Sequence, residues 1–421
     1  MVAFRNCLLG LLFSAAAAEE GSRPRLPATL QKISQANGAA CLDGSAPTFY
    51  VMPGDPEKFY LHMEGGGWCI SLEDCAKRAG TGTGTSKFNA QTTDFQGMVD
   101  GWGGWYLSNS TSINPMMASW TKVLVNYCDG ASWAGNNATP TYYLGKQLHF
   151  RGKANLDGLI ESLKADLAFK FATATDVVVS GGSAGGLSTY LHTDTFRAAL
   201  PPRTKVVGMP DAGFFLDDPV SVASGWRAGV IWAAEVQNTS ASANPACLEH
   251  YSRSGEAWKC FFAQYTAPFV QSPLFALQSM YDAYQTSAEV KSRAPSIVNA
   301  YAANLSATLE ASLSLLAVGG ADSTATAAFM NGVGTDTVVA ATTHKNGAFL
   351  DACWHHSGAW PSLQINGTTA WDAMAEWYTG TGRRYWKEEA PAGFPCTECC
   401  PARHPPACDG GCSSCCGPLW G

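Results

Sequence analysis

The sequence predicts an α/β protein: one large domain built on a mainly parallel sheet flanked by helices, followed by a disulfide-rich C-terminal tail. Three observations carry that expectation. Between residues 40 and 390 short apolar runs alternate with segments of helical periodicity, the rhythm of a parallel sheet covered on both faces. One of those runs ends in a Gly-x-Ser-x-Gly turn that opens a helix. No repeat or linker splits this stretch of a 421-residue chain, so its length fits one large domain with insertions.

Residues 1–18, MVAFRNCLLGLLFSAAAA, place Arg5 before an apolar run and end in small residues. That is the layout of a secretory signal peptide. Its cleavage removes Cys7 from the 15 cysteines and leaves an even number, as full disulfide pairing in an oxidising compartment requires. Sequons at Asn109, Asn137, Asn238, Asn304 and Asn366 suit the same secreted, extracellular or cell-wall route. The mature domain is expected over 19–390. Lys+Arg number 27 against Asp+Glu 34, a net charge of −7, so no basic field exists to hold nucleic acid. Beyond the N-terminus no apolar run reaches the ~18 residues of a membrane span.

Along the domain, residues 19–45 read as polar and irregular. Lys58–Met63 (KFYLHM) reads as a buried strand entering Gly65-Gly66-Gly67. Residues 78–119, rich in Gly, Ser, Thr and Asn, read as a long loop with short elements. Lys122–Tyr127 is a second strand. Lys153–Phe171 carries Leu156, Leu159, Ile160, Leu163 and Leu167 at helical spacing. Asp176–Val179 is a third strand, followed by a helix over Ala184–Leu200. Lys205–Met209 and Leu274–Ser279 are further strands. Ala288–Leu316 reads as helical, Ala348–Asp351 as a strand and Thr369–Tyr378 as a last helix. Residues 391–421 hold seven of the cysteines among Pro and Gly, with almost no aliphatic side chains. Such a segment cannot bury a core and must be stapled, and disulfides outrank a zinc knuckle in an oxidising compartment.

The chemistry centres on Gly181-Gly182-Ser183-Ala184-Gly185. A serine on a sharp strand-to-helix turn needs neighbours without bulk. The helix N-terminus behind it offers free N–H groups to a developing oxyanion. A second donor is expected from the glycine loop after the earlier strand, through Gly65 or Gly66, to act with the N–H of Ala184. This is the layout of an α/β-hydrolase-like domain, in which the acid and then the histidine follow the serine. Asp282, at the end of the LFALQSMY strand, fits the acid, with Asp211 and Asp217 as alternatives. His355 and His356 both lie in a loop after the strand-like GAFLDAC. His192, on the helix after the serine, reads as structural.

Several longer segments carry a resemblance: EGGGWC (64–69), NYCDGASWAG (126–135), LHFRG (148–152), SGGSAGGLSTYLHTD (180–194), DAGFFLD (211–217) and CWHH (353–356). Together they resemble the pectin acetylesterase family, which also contains the animal lipid deacylase Notum, over about residues 40–390. The resemblance implies a serine esterase with Ser183 as nucleophile and Asp282 as acid. The family histidine follows its cysteine by three residues, which selects His356 over His355. Plant members commonly carry a cysteine where this chain has Gly182, and another just after the histidine, where it has Ser357. The implied reaction is two-step acyl transfer on an acetylated polysaccharide, without metal or cofactor; removal of a fatty acyl group from a protein and a non-catalytic wall-binding role are the alternatives, and the chain is expected to act as a monomer. Trp68, Trp133, Trp102, Trp105 and Tyr143 are candidates for stacking on sugar rings. Proximity in the chain suggests disulfides Cys69–Cys75 and Cys247–Cys260. Cys41–Cys128 is a third expected pair, and Cys353 would then reach the tail.

Overall fold

A computed structural model describes residues 27–95, 104–315, 346–358, 363–388 and 393–395. The expected signal peptide, Trp102, the Trp105 side chain and nearly all of the cysteine-rich tail lie outside the described residues.

The core is a ten-stranded sheet. Its strands are β1 (Ala28–Lys32), β2 (Thr48–Met52), β3 (Asp55–Met63), β4 (Thr92–Thr93), β5 (Trp120–Val125), β6 (Asp176–Gly182), β7 (Lys205–Asp211), β8 (Phe275–Ser279), β9 (Gly347–Asp351) and β10 (Tyr385–Lys387). Their order in space is β10-β9-β8-β7-β6-β3-β5-β2-β1-β4. From β10 to β5 every neighbour is parallel. Beyond β5 the strands β2, β1 and β4 extend the sheet antiparallel.

The parallel strands read as unbroken apolar runs because both faces are buried. Successive side chains point to opposite faces. Phe59, Leu61, Val177 and Val179 enter one cluster, with Leu156, Leu159 and Leu163 of α1 (Gly152–Ala165), Leu187 and Leu191 of α2 (Ala184–Ala199) and Tyr301, Leu305 and Leu309 of α3 (Pro295–Ser312). Tyr60, Val178, Val207 and Phe349 enter the other, with Trp371, Met374 and Trp377 of α4 (Ala370–Thr379) and Tyr106. A mainly parallel sheet with helices on both faces is therefore what the chain forms. Among the described residues no helix is long and apolar enough to cross a membrane.

The differences from the sequence reading are local. Strands β1 and β2 occupy ground read as irregular or passed over, and β10 was not expected. The helix read over Ala288–Leu316 begins only at Pro295, which occupies its first turn, and a π-helical turn over Gln285–Val290 precedes it. Disulfides join Cys41–Cys128, Cys69–Cys75 and Cys247–Cys260. Cys353 is also disulfide-bonded, and its expected partner in the tail lies outside the described residues.

Candidate active site

Ser183 stands between β6 and α2 with φ 58° and ψ −120°, a backbone setting that costs about 1–3 kcal/mol and persists only where its surroundings enforce it. Here glycines do so. A Cβ on Gly181 would lie 2.3 Å from the Gly185 carbonyl oxygen, and one on Gly185 would lie 2.0 Å from that of Met63. The start of α2 thus passes flush against the ends of β3 and β6. The Ser183 N–H donates to the Asp211 carbonyl, 2.9 Å away at the end of β7. Ala184 is the first helical residue, so its N–H has no acceptor within the helix.

The glycine loop after β3 packs on this strand-to-helix turn, the elbow that carries Ser183. A Cβ on Gly65 would meet the Gly182 carbonyl oxygen at 2.6 Å and the Ser183 Cβ at 2.9 Å. Arg78 Nη2 donates to the Gly66 carbonyl at 2.8 Å and the Trp68 carbonyl at 3.3 Å, and Tyr127 Oη donates to the Gly67 carbonyl at 2.7 Å. With its carbonyls held this way the loop has a fixed orientation. Glu64 Oε2 accepts from the Tyr127 N–H at 3.0 Å and ties the loop to the segment after β5.

Asp282 is fully buried just past β8. Its Oδ1 accepts from the backbone N–H groups of Tyr284 (2.9 Å) and Gln285 (3.0 Å), and its Oδ2 from Gln278 Nε2 (3.1 Å). His356, after β9, places Nδ1 2.8 Å from both carboxylate oxygens. A carboxylate can only accept, so Nδ1 carries the hydrogen and Nε2 keeps its lone pair. Nε2 is buried without a hydrogen-bond partner among the described residues. The elbow and the histidine loop touch: a Cβ on Gly182 would lie 3.6 Å from the Ser357 Cβ. Rings of Tyr284 and Phe215 flank His356 at 5.2 and 6.2 Å, and Trp68 packs edge-on behind Phe215 at 4.7 Å.

The other candidates take supporting places. His355 points to Asp351, with Nε2 3.1 Å from Oδ1. Burial pushes its imidazole down, but the Asp351 charge and hydrogen bond push it up further, and the net shift is upward. Its carbonyl accepts from the Ala283 N–H at 3.0 Å, joining the loop that carries His356 to the one that carries Asp282. His192 is buried with Nε2 3.1 Å from the Ser132 carbonyl, and burial lowers it to about 3. Asp211 accepts from Tyr106 Oη (2.8 Å) and the Gly358 N–H (3.0 Å). Asp217 accepts from Tyr265 Oη and pairs with Arg227 in a separate cleft.

One expectation needs correction. Trp68 and Trp133, expected to stack on a sugar, are only 6% and 2% exposed. Trp68 donates to Ser132 Oγ at 2.9 Å and packs on Phe215 and Trp226, while Trp133 lies against Tyr127. Their area is spent beneath the loops. Tyr143 is half-buried against the cluster around Cys69 and Cys75. Of the sequon asparagines, Asn304 and Asn366 are exposed, whereas Asn109, Asn137 and Asn238 are half-buried, with the Asn137 amide donating to the Val236 carbonyl. Sequence reasoning missed Arg78 and Tyr284, and it named Tyr127 only within the NYCDGASWAG segment and the strand before it, with no role. Phe215 stood in the DAGFFLD segment, but nothing in the sequence pointed to its contact with His356.

A family model described as Pectinacetylesterase matches residues 21–401. Pectin acetylesterase 7 of Arabidopsis thaliana is 32% identical over 263 residues, covering 62% of this chain and 63% of that protein. Palmitoleoyl-protein carboxylesterase NOTUM of Schmidtea mediterranea is 26% identical over 267 residues, 60% of this chain and 48% of its own length. These matches span less than two thirds of the relatives' lengths. Among solved structures, the Wnt deacylase Notum from Drosophila superposes with a TM-score of 0.66 at 21% identity, covering 86% of this chain and 97% of that one.

Proposed function

The chain belongs to the pectinacetylesterase family, and on that footing we propose that it is a secreted serine esterase that removes acetyl groups from a pectin-like cell-wall polysaccharide. The observation that carries the reading is the His356–Asp282 pair, with Nδ1 bound at 2.8 Å and Nε2 free, on a loop whose next residue, Ser357, approaches Gly182 just before the strained Ser183. Nε2 takes the Ser183 proton as the hydroxyl attacks the ester carbonyl. Asp282 holds the imidazole in that tautomer and offsets its charge once it is protonated. The oxyanion is received by the N–H of Ala184 and an N–H of Gly65 or Gly66, each donor of this kind contributing about 3 kcal/mol. The protonated His356 gives its proton to the departing sugar oxygen. Water, deprotonated by the same nitrogen, then releases acetate from the serine. No step needs a metal or cofactor.

Acetyl as the acyl group rests on the closer relation to the plant acetylesterases, 32% identity against 26% for the planarian deacylase. The signal-peptide pattern and the disulfides support secretion. Hydrolysis of p-nitrophenyl esters from acetyl to palmitoyl, with Ser183→Ala as control, tests the reading. Activity highest on acetyl and lost in the variant is expected. A long-chain optimum would favour a protein deacylase instead. Equal rates in both proteins would leave a binding protein on a hydrolase scaffold.

A further inference from the structure

Behind the triad lies a second buried carboxyl group that the reaction does not use. Glu289 is fully buried in the π-helical turn that follows Asp282, a local widening of the helix that recurs at functional sites. Its Oε2 lies 3.1 Å from Tyr301 Oη on α3. The same hydroxyl lies 2.7 Å from Gln285 Oε1, and that oxygen also accepts the Leu216 N–H at 3.1 Å. Tyr301 has one hydrogen to give. Gln285 presents its oxygen there, because the Leu216 N–H can only donate. The shorter contact therefore takes the tyrosine hydrogen, and the longer one needs a hydrogen from Glu289. The other oxygen, Oε1, is buried with no partner among the described residues, which a neutral carboxyl tolerates far better than a carboxylate.

We propose that Glu289 is a protonated carboxylic acid and a positioning residue for the triad: it donates to Tyr301, Tyr301 donates to Gln285, and the Gln285 backbone N–H holds Asp282 Oδ1. The relay also fixes Leu216, next to the Phe215 ring that flanks His356. The titratable groups around Glu289 are Asp282 and Tyr284 on its own segment and Tyr301 on α3, with Asp218 bearing on Tyr301 from a further segment. Burial first, and then the Asp282 charge, push Glu289 well above the usual carboxyl range, in agreement with the hydrogen-bond count. The inference rests on the triad reading for its catalytic consequence only.

The tests separate the two. Infrared difference spectra of wild type and Glu289→Gln at neutral pH should show a protonated-carboxyl band that the variant lacks, whether or not any ester is turned over. Its absence overturns the protonation. In kcat/KM profiles on an aryl acetate, Glu289→Gln removes no charge, so the acid limb stays in place. A downward shift of about half a pH unit or more would mean that a negative charge had been removed beside the Asp–His pair, and would overturn the proposal. Glu289→Leu and the gentler Tyr301→Phe break the relay. Both should lower kcat about tenfold with KM unchanged, and should broaden the low-field proton signal of the His356–Asp282 bond, while Glu289→Gln, which keeps a donor, restores both. If Tyr301→Phe matches wild type in rate and in that signal, the positioning role is wrong.

Discussion

At the scale of single residues, the site depends on which of two adjacent histidines faces the acid. The residues alone left His355 and His356 equal, because both follow the same strand and differ by one position in an irregular loop. The family spacing chose His356, and the geometry separates the two by partner: His356 holds Asp282 at 2.8 Å, and His355 holds Asp351 at 3.1 Å. His356→Ala should cost about 10⁴-fold or more in kcat on an aryl acetate, and Asp282→Asn a loss of about 10⁴-fold through the wrong tautomer. His355→Gln breaks a supporting hydrogen bond and should stay within about tenfold. Equal losses at 355 and 356 in steady-state kinetics would mean that the assignment of the base is wrong. Aromatic roles were the least legible. A tryptophan that stacks on a sugar and one that packs beneath a loop have the same sequence signature, and only burial distinguishes them.

At the scale of elements, the strand–turn–helix around Ser183 was readable because its requirements are steric and local. The glycines at 181 and 185 are there because their Cβ positions are already occupied by the Gly185 and Met63 carbonyl oxygens. Gly182 is different: a Cβ there meets only ordinary contacts, the nearest being the Ser357 Cβ at 3.6 Å. The two positions at which this chain departs from the plant pattern are thus neighbours across the site. That separation lies in the range of about 3.5–4.5 Å found across disulfides. The double substitution Gly182→Cys with Ser357→Cys should therefore form a disulfide on oxidation, tying the elbow to the histidine loop, with the loss of two thiols read by mass spectrometry of the alkylated protein. Two free thiols after oxidation would show that the loops do not approach as described. Elements without a strong local period were harder to read. Strand β2 is five residues between prolines, and β10 is three residues at a sheet edge. The start of α3 is hard to place from sequence because the Ala- and Ser-rich run hides the π-helical turn before Pro295.

At the scale of the whole molecule, the parallel sheet explains how residues 99 and 74 positions apart come to one place. Ser183, Asp282 and His356 follow the C-terminal ends of β6, β8 and β9, which lie on one edge of the sheet with only β7 between β6 and β8. The order of β6, β8 and β9 was legible because each is a short apolar run within the alternation of strands and helices. The antiparallel extension through β2, β1 and β4 was not, since nothing local specifies which edge a short strand joins. The Cys41–Cys128 disulfide, 87 residues apart, links the segment just before β2 to the loop after β5 and so braces that extension. The central claim is that this assembly makes Ser183 an acyl carrier. Enzyme quenched during turnover of p-nitrophenyl acetate and analysed by peptide mass spectrometry tests it most directly. One acetyl group per chain on the peptide containing Ser183 is the predicted result; acetate released with Ser183 unmodified, or an acetyl group carried by another residue, would contradict it.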